Sequence, residues 1–159
     1  MSRTIRDTAL FRFSTDALPA AARDRAVRAL YEHTLLSGKL EPLEPLPDCP
    51  VRVEISKLLL PGLGVLSGSL SGVRQRARPE HETESDDIFL GVNVAGTSVA
   101  CQGEREIRIN NGDALLARPG RNGFVVNRPT STRFIGLRIP RRALAARAAG
   151  PIEIGRAHV

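Results

Sequence analysis

The sequence predicts a mainly β domain with flanking helices. Three observations carry this expectation. Apolar residues alternate with polar or small ones at Val51, Val53 and Ile55, then at Ile88, Leu90, Val92 and Val94, then at Ile135, Leu137 and Ile139. A period of two is the signature of strands. Turn residues punctuate these runs at short intervals, as at Pro61-Gly62, Asn110-Asn111-Gly112-Asp113, Pro119-Gly120 and Asn122-Gly123. Helix-favouring sequence is confined to the two ends, so an antiparallel sandwich or jelly-roll barrel is expected rather than a parallel sheet with crossover helices.

The elements follow in order. Residues Met1–Phe13 read as an irregular or extended lead-in. Ser14, Thr15 and Asp16 are N-cap candidates, and Pro19 suits a first helical turn. A helix is expected over Leu18–Leu36, with apolar positions Ala22, Ala26, Ala29, Leu30 and Leu36 and a stop at Gly38. Pro42, Pro45, Pro47 and Pro50 exclude helix next. The Gly- and Ser-rich stretch Gly62–Gly72 suggests short, bent strands, and the acidic run Glu80–Asp87 a solvated loop. Further strands are expected around Val99 and Cys101, at Ile107 and Ile109, over Ala114–Ala117, and over Phe124–Val126. Pro140 is positioned to open a last helix to Ala149, ended by Gly150-Pro151.

Composition narrows the function classes. A chain of 159 residues with 42% hydrophobic residues is long enough for one domain with a real core. Aromatics are 4% and Trp is absent, so Val, Ile, Leu and Ala must fill that core. The net charge of +6 comes almost wholly from Arg, Lys occurring only at Lys39 and Lys57. The Arg residues are scattered rather than clustered, which argues against a direct nucleic-acid surface. Cys49 and Cys101 form no CxxC pair, and two reduced thiols are expected in preference to a disulfide. No apolar run reaches membrane-spanning length, so a cytoplasmic protein without membrane contact is expected.

The stretch Ser85–Leu144 carries a resemblance. It reads SDDIFLGVNVAGTSVACQGEREIRINNGDALLARPG and later FIGLRIPRRAL. An acidic pair precedes a strand ending at Gly96, followed by a hairpin at Gln102-Gly103, a turn at Gly112-Asp113, and a last strand running into Pro-Arg-x-x-Leu. Together with the opening Phe13–Pro19, FSTDALP, this resembles the amino-terminal ligand-binding domain of AraC/XylS-type transcription regulators. The resemblance implies a cupin-like double-stranded β-helix, or jelly-roll barrel, that senses a small-molecule effector and forms a homodimer. The inward alternating set Val53, Ile55, Leu90, Val92, Ile107, Ile135 and Leu137 then becomes the candidate ligand wall. Leu30 and Leu144, on the two helices, become candidate dimer contacts.

Other chemistry finds little support. Enzymatic cupins hold a metal through His and Glu, yet the segment after the Gly112-Asp113 turn contains no His, and His33, His81 and His158 lie on the first helix, in the acidic loop and in the tail. Neither metal nor cofactor is expected, and no nucleophile motif appears. The alternative is a metal-free, isomerase-like cupin enzyme using Glu54 or Asp113 with an Arg. A small-molecule-binding barrel remains a further reading, although a sugar site would call for aromatic platforms and the chain has one Tyr.

The last residues, Glu153–Val159, read EIGRAHV and resemble the conceptual translation of a sequencing adapter, the alternative being an ordinary surface tail. On the first reading, residues 1–152 form the sensing domain and the natural chain continues beyond about Ile152. The family's DNA-binding domain, with its two helix-turn-helix units, would follow there. Contact with DNA is then expected only through that domain, absent from this chain.

Overall fold

Period-two strands build two antiparallel sheets in the computed structural model, which describes residues 9–37, 43–60, 63–77, 87–118, 123–140 and 155–158. The larger sheet has the order β1 (Ala9–Ser14), β3 (Arg52–Leu60), β4 (Leu63–Ser71), β11 (Thr132–Pro140), β6 (Asp87–Ala95), β9 (Asp113–Ala117) and β12 (Gly155–His158). The smaller has the order β2 (Leu43–Pro45), β5 (Val73–Ala77), β10 (Phe124–Arg128), β7 (Ser98–Gln102) and β8 (Arg105–Ile109). Among the described residues one helix, α1 (Ala20–Ser37), lies between β1 and β2 in the chain. Every described pairing is antiparallel, as the alternating runs predict. Residues 155–158 of the tail pair with β9 at the edge of the larger sheet. The jelly-roll architecture expected from the sequence is therefore present.

Residues opposite one another across an antiparallel pair share a face, so the register assigns the inner wall of the larger sheet. One row joins Phe13, Ile55, Gly68, Phe134 and Asn93, and the next joins Phe11, Lys57, Leu66, Gly136, Gly91 and Leu115. Two apolar clusters fill the sandwich. At one end Val27, Leu30, Leu43, Val51, Val53, Ile55, Leu70, Val73 and Phe134 pack together, and α1 closes this end with Val27 and Leu30. At the other end Ala100, Ile109, Leu115, Ala117, Phe124 and Val126 pack together, with Phe89 edge-on to Phe124 at a centroid distance of 5.5 Å.

Polar side chains inside the sandwich are mostly satisfied, as burial requires. Thr15 ties the entry of α1 to β3, its hydroxyl accepting from Val53 N at 2.9 Å while its own N–H donates to Val53 O at 2.8 Å. Of the three N-cap candidates, Thr15 is thus the one anchored to the core. Asn93 Nδ2 donates to Ser98 Oγ and to Ile109 O, both at 2.9 Å. The Asn110–Asp113 turn closes as its residue types predict. Gly112 takes φ +82°, and the Asp113 carboxylate accepts from Asn110 N at 2.9 Å.

Three expectations are corrected. The stretch Gly62–Gly72 does not make short bent strands: residues 63–71 form one nine-residue strand. Glycine is needed there because a Cβ on Gly68 would overlap the Glu54 carbonyl oxygen and lie 2.9 Å from Ile55 Cα. Leu30 is not an exposed dimer contact but a core residue, 7% exposed, because Val27 and Leu30 turn the apolar stripe of α1 inward. Pro140 is the last residue of β11, paired with Asp87, rather than a helix opening. Residues 141–150, which include Leu144, lie outside the described residues.

Candidate functional site

Between the two clusters the sandwich leaves a cavity of about 70 Å³. Its origin lies in the larger sheet. Gly91 of β6 and Gly136 of β11 are paired directly, so two adjacent inward positions carry no side chain. A Cβ built on Gly91 meets nothing within 4 Å. The wall opposite comes from the smaller sheet, whose inward positions include Phe124, Val126 and Arg128 of β10 and Gln75 of β5. Leu66, Phe89, Leu115 and Phe134 belong to its apolar lining.

The polar lining of this cavity is largely cationic. Lys57, Arg128 and Arg138 line it, and no Asp or Glu is among the lining residues. Lys57 is 3% exposed and Arg128 is 5% exposed. Arg128 reaches across the sandwich, its guanidinium 4.7 Å from the centroid of the Phe134 ring, and its Nη1 donates to Gln75 Oε1 at 3.0 Å. Its Nε is buried with no hydrogen-bond acceptor, the one such side-chain atom among the described residues. Burial pulls the Arg128 pKa down to about 10, which still leaves it charged at neutral pH. Arg138 lies 5.7 Å from the Phe89 ring centroid. Both arrangements fall within the range of cation–π attraction.

The structure distributes the residues predicted from sequence unevenly. Leu90 and Leu137 border the cavity. Val53 and Ile55 point inward, but into the packed cluster under α1. Ile107 packs against the second cluster and Val92 is half-buried away from the cavity. Ile135 corrects the expectation outright: it is 46% exposed, because Phe134 and Gly136 occupy the inward positions of β11. Glu54 is exposed on β3, Asp113 is engaged in its turn, and neither lines the cavity.

Sequence reasoning missed Lys57, Gln75, Arg128 and Arg138. A signal was present for two of them. Lys57 continues the inward series Val53, Ile55, and Arg128 continues Phe124, Val126. A charge in phase with a buried period-two face marks a functional candidate, since unpaired charge is otherwise kept out of cores.

The cupin-like fold raises the question of a metal. The cavity lining contains no His, Cys, Asp or Glu, and no cluster of three such residues occurs among the described residues. These residues do not fit a divalent transition metal; His81 lies outside the described residues. Cys49 and Cys101 are free and half-buried. No helix among the described residues is long and apolar enough to cross a membrane.

Comparison with known proteins agrees with the architecture. The chain is similar to the AraC-like transcriptional activator CuxR, with a TM-score of 0.64 at 18% identity, covering 87% of this chain and 49% of that one. This chain therefore spans about half the length of that activator. Weaker likenesses are to the EutQ protein of Clostridium difficile, with a TM-score of 0.46 at 16% identity over 57% of this chain and 64% of that one, and to the cupin domain of Schizosaccharomyces pombe Cnp3, with a TM-score of 0.46 at 12% identity over 66% and 79%. None of the curated proteins matches the sequence. The family model described as an AraC-binding-like domain matches residues 22–158, and the chain, a cupin-like jelly roll, belongs to that family.

Proposed function

We propose that this chain is the effector-sensing domain of a cytoplasmic AraC-type transcription regulator, and that the cavity between its sheets takes the effector. The observation that carries the reading is the pairing of Gly91 with Gly136, which opens a largely apolar cavity whose lining also includes Lys57, Gln75, Arg128 and Arg138. Small-molecule sites have this make-up, apolar walls giving affinity and a few placed polar groups giving orientation. A ligand bound there would touch β5 and β10 of one sheet and β4, β6 and β11 of the other. Its occupancy would thus bias how the two sheets sit, and with them a DNA-binding domain elsewhere in the whole protein. DNA contact belongs to that domain.

Self-association is part of the same proposal. With Leu30 buried, the support shifts to Leu10 and Ile135, exposed on the outer face of the larger sheet at 57% and 46%. Sedimentation of the wild type and of Ile135→Asp tests it, a dimer weakened by the substitution being expected and a monomer at high concentration refuting it.

The sensing proposal is tested by filling the cavity. Gly91→Leu places a side chain into open space and should fold, yet lose stabilisation by small molecules in a thermal-shift screen. Compounds that stabilise the wild type and Gly91→Leu equally would refute the cavity as the sensing site.

A further inference from the structure

We infer that the effector is a small organic carboxylate, its charged end held by Arg128 together with Lys57 and Gln75 and its apolar body against Leu66, Phe89, Leu115 and Phe124. This inference rests on the sensing role of the cavity proposed above and adds the chemical class of the ligand.

The argument begins with charge. The two ion pairs described elsewhere in the chain, Arg52–Asp16 and Arg76–Glu44, involve side chains with substantial exposure. Arg128 is instead buried, with a neutral amide as its described hydrogen-bond partner and with Nε lacking any acceptor. Folded proteins rarely leave a buried donor unmet, and a buried cation costs several kcal/mol unless an anion compensates it. The cavity lining offers no carboxylate, and the Arg128 Nε–H meets no acceptor among the described residues, so this donor is the group an incoming anion would engage. Water could satisfy the Nε–H, but a carboxylate would satisfy it with a stronger, charge-assisted bond.

Shape then selects among anions. A carboxylate offers a planar pair of oxygens that suits a guanidinium edge, and such charge-assisted bonds are the strong ones. The space of about 70 Å³ corresponds to roughly five waters at about 15 Å³ each. That admits a small acid and excludes a nucleotide or an oligosaccharide. The rest of the lining is mainly Leu, Phe, Val and Gly, so the body of the ligand must be apolar.

The test measures the melting temperature of the purified chain, at constant ionic strength, with propionate or butyrate, with the matching amides propionamide and butyramide, and with methyl phosphate. The acids should raise the melting temperature with concentration, as a ligand of the folded state must, and the amides should not. Arg128→Met should weaken acid binding about 10- to 100-fold, the loss of one or two charge-assisted hydrogen bonds, with an unchanged circular dichroism spectrum. Lys57→Met, tested independently, should weaken it by a smaller factor. Equal stabilisation by acids and amides, an undiminished response in both variants, a larger response to methyl phosphate than to propionate, or no response to any probe would each overturn the inference. Amides that stabilise the wild type but not Gly91→Leu would overturn the carboxylate while leaving the sensing cavity standing.

Discussion

Replacing Arg128 by Met removes a buried charge from the sandwich, and the structure predicts an unusually small cost. Two terms oppose each other. Burial pulls the Arg128 pKa down to about 10, and at about 1.4 kcal/mol per tenfold change this depression from the ordinary guanidinium range amounts to roughly 3 kcal/mol spent on keeping the charge inside. Against this, the cation–π contact with Phe134 at 4.7 Å contributes about 2 kcal/mol when desolvated. The bond to Gln75 contributes about 1.5 kcal/mol more. Met preserves much of the apolar stem, so Arg128→Met should shift stability by no more than about 1 kcal/mol, a few degrees in melting temperature for a chain of this length. Gln75→Leu should behave differently. It takes away the described hydrogen-bond partner and leaves the charge in place, so a loss of about 2 kcal/mol is expected. In the double variant most of that loss should be recovered, which a double-mutant cycle in urea reads directly. The pH dependence carries a sign as well. Because the folded-state pKa is depressed, the stabilising contribution of this group is complete only above the ordinary guanidinium range and is lost as pH falls through about 10. The difference between wild type and Arg128→Met should therefore be flat between pH 6 and pH 9 and shift in favour of the wild type above about pH 10. A loss of about 3 kcal/mol or more in Arg128→Met at neutral pH would show that the charge is well compensated within the chain and would refute the reasoning.

Three further outcomes follow from local geometry. Gly68→Ala should cost about 2 kcal/mol or more, since the neighbours of its new Cβ are the backbone of Glu54 and Ile55; denaturant unfolding at wild-type stability would show that β3 and β4 separate readily there. Burial, followed by the charge of Glu106, raises the Cys101 thiol above its ordinary range, so alkylation at neutral pH should be slower than for an exposed thiol and faster in Glu106→Gln. Arg52 donates to Asp16 at 2.7 Å and holds its carboxyl below the usual range. Asp16→Asn should therefore lower stability slightly at neutral pH, and the difference should vanish as pH falls through that depressed pKa; a difference that persists in strong acid would assign the effect to something other than the ion pair.

What the sequence determined by itself was the kind of domain. Period-two runs at Val51–Ile55 and Ile88–Val94, with turn residues such as Asn110–Asp113 between them, specify strands and tight turns locally, because alternation and positive-φ glycine need no knowledge of the partner strand. The site was decided elsewhere. On β11 both sets of alternating residues are partly apolar, so period alone could not say that Phe134 and Gly136 face inward while Ile135 faces out; the pairing of Gly136 with Leu66 and Gly91 decides that. The same holds for Leu30, whose stripe on α1 is legible but whose direction depends on the sheet packed beneath it. Val53 and Ile55 were legible as inward but not as core rather than cavity, because that difference depends on α1 covering one end of the sandwich. The cavity itself comes from two glycines 45 positions apart that meet only through the register of β6 and β11. The Lys57, Gln75 and Arg128 groups that line it come from three strands in two sheets. A sequence records each of those residues, but the low-dielectric space that makes a buried guanidinium consequential exists only once the two sheets have closed over it.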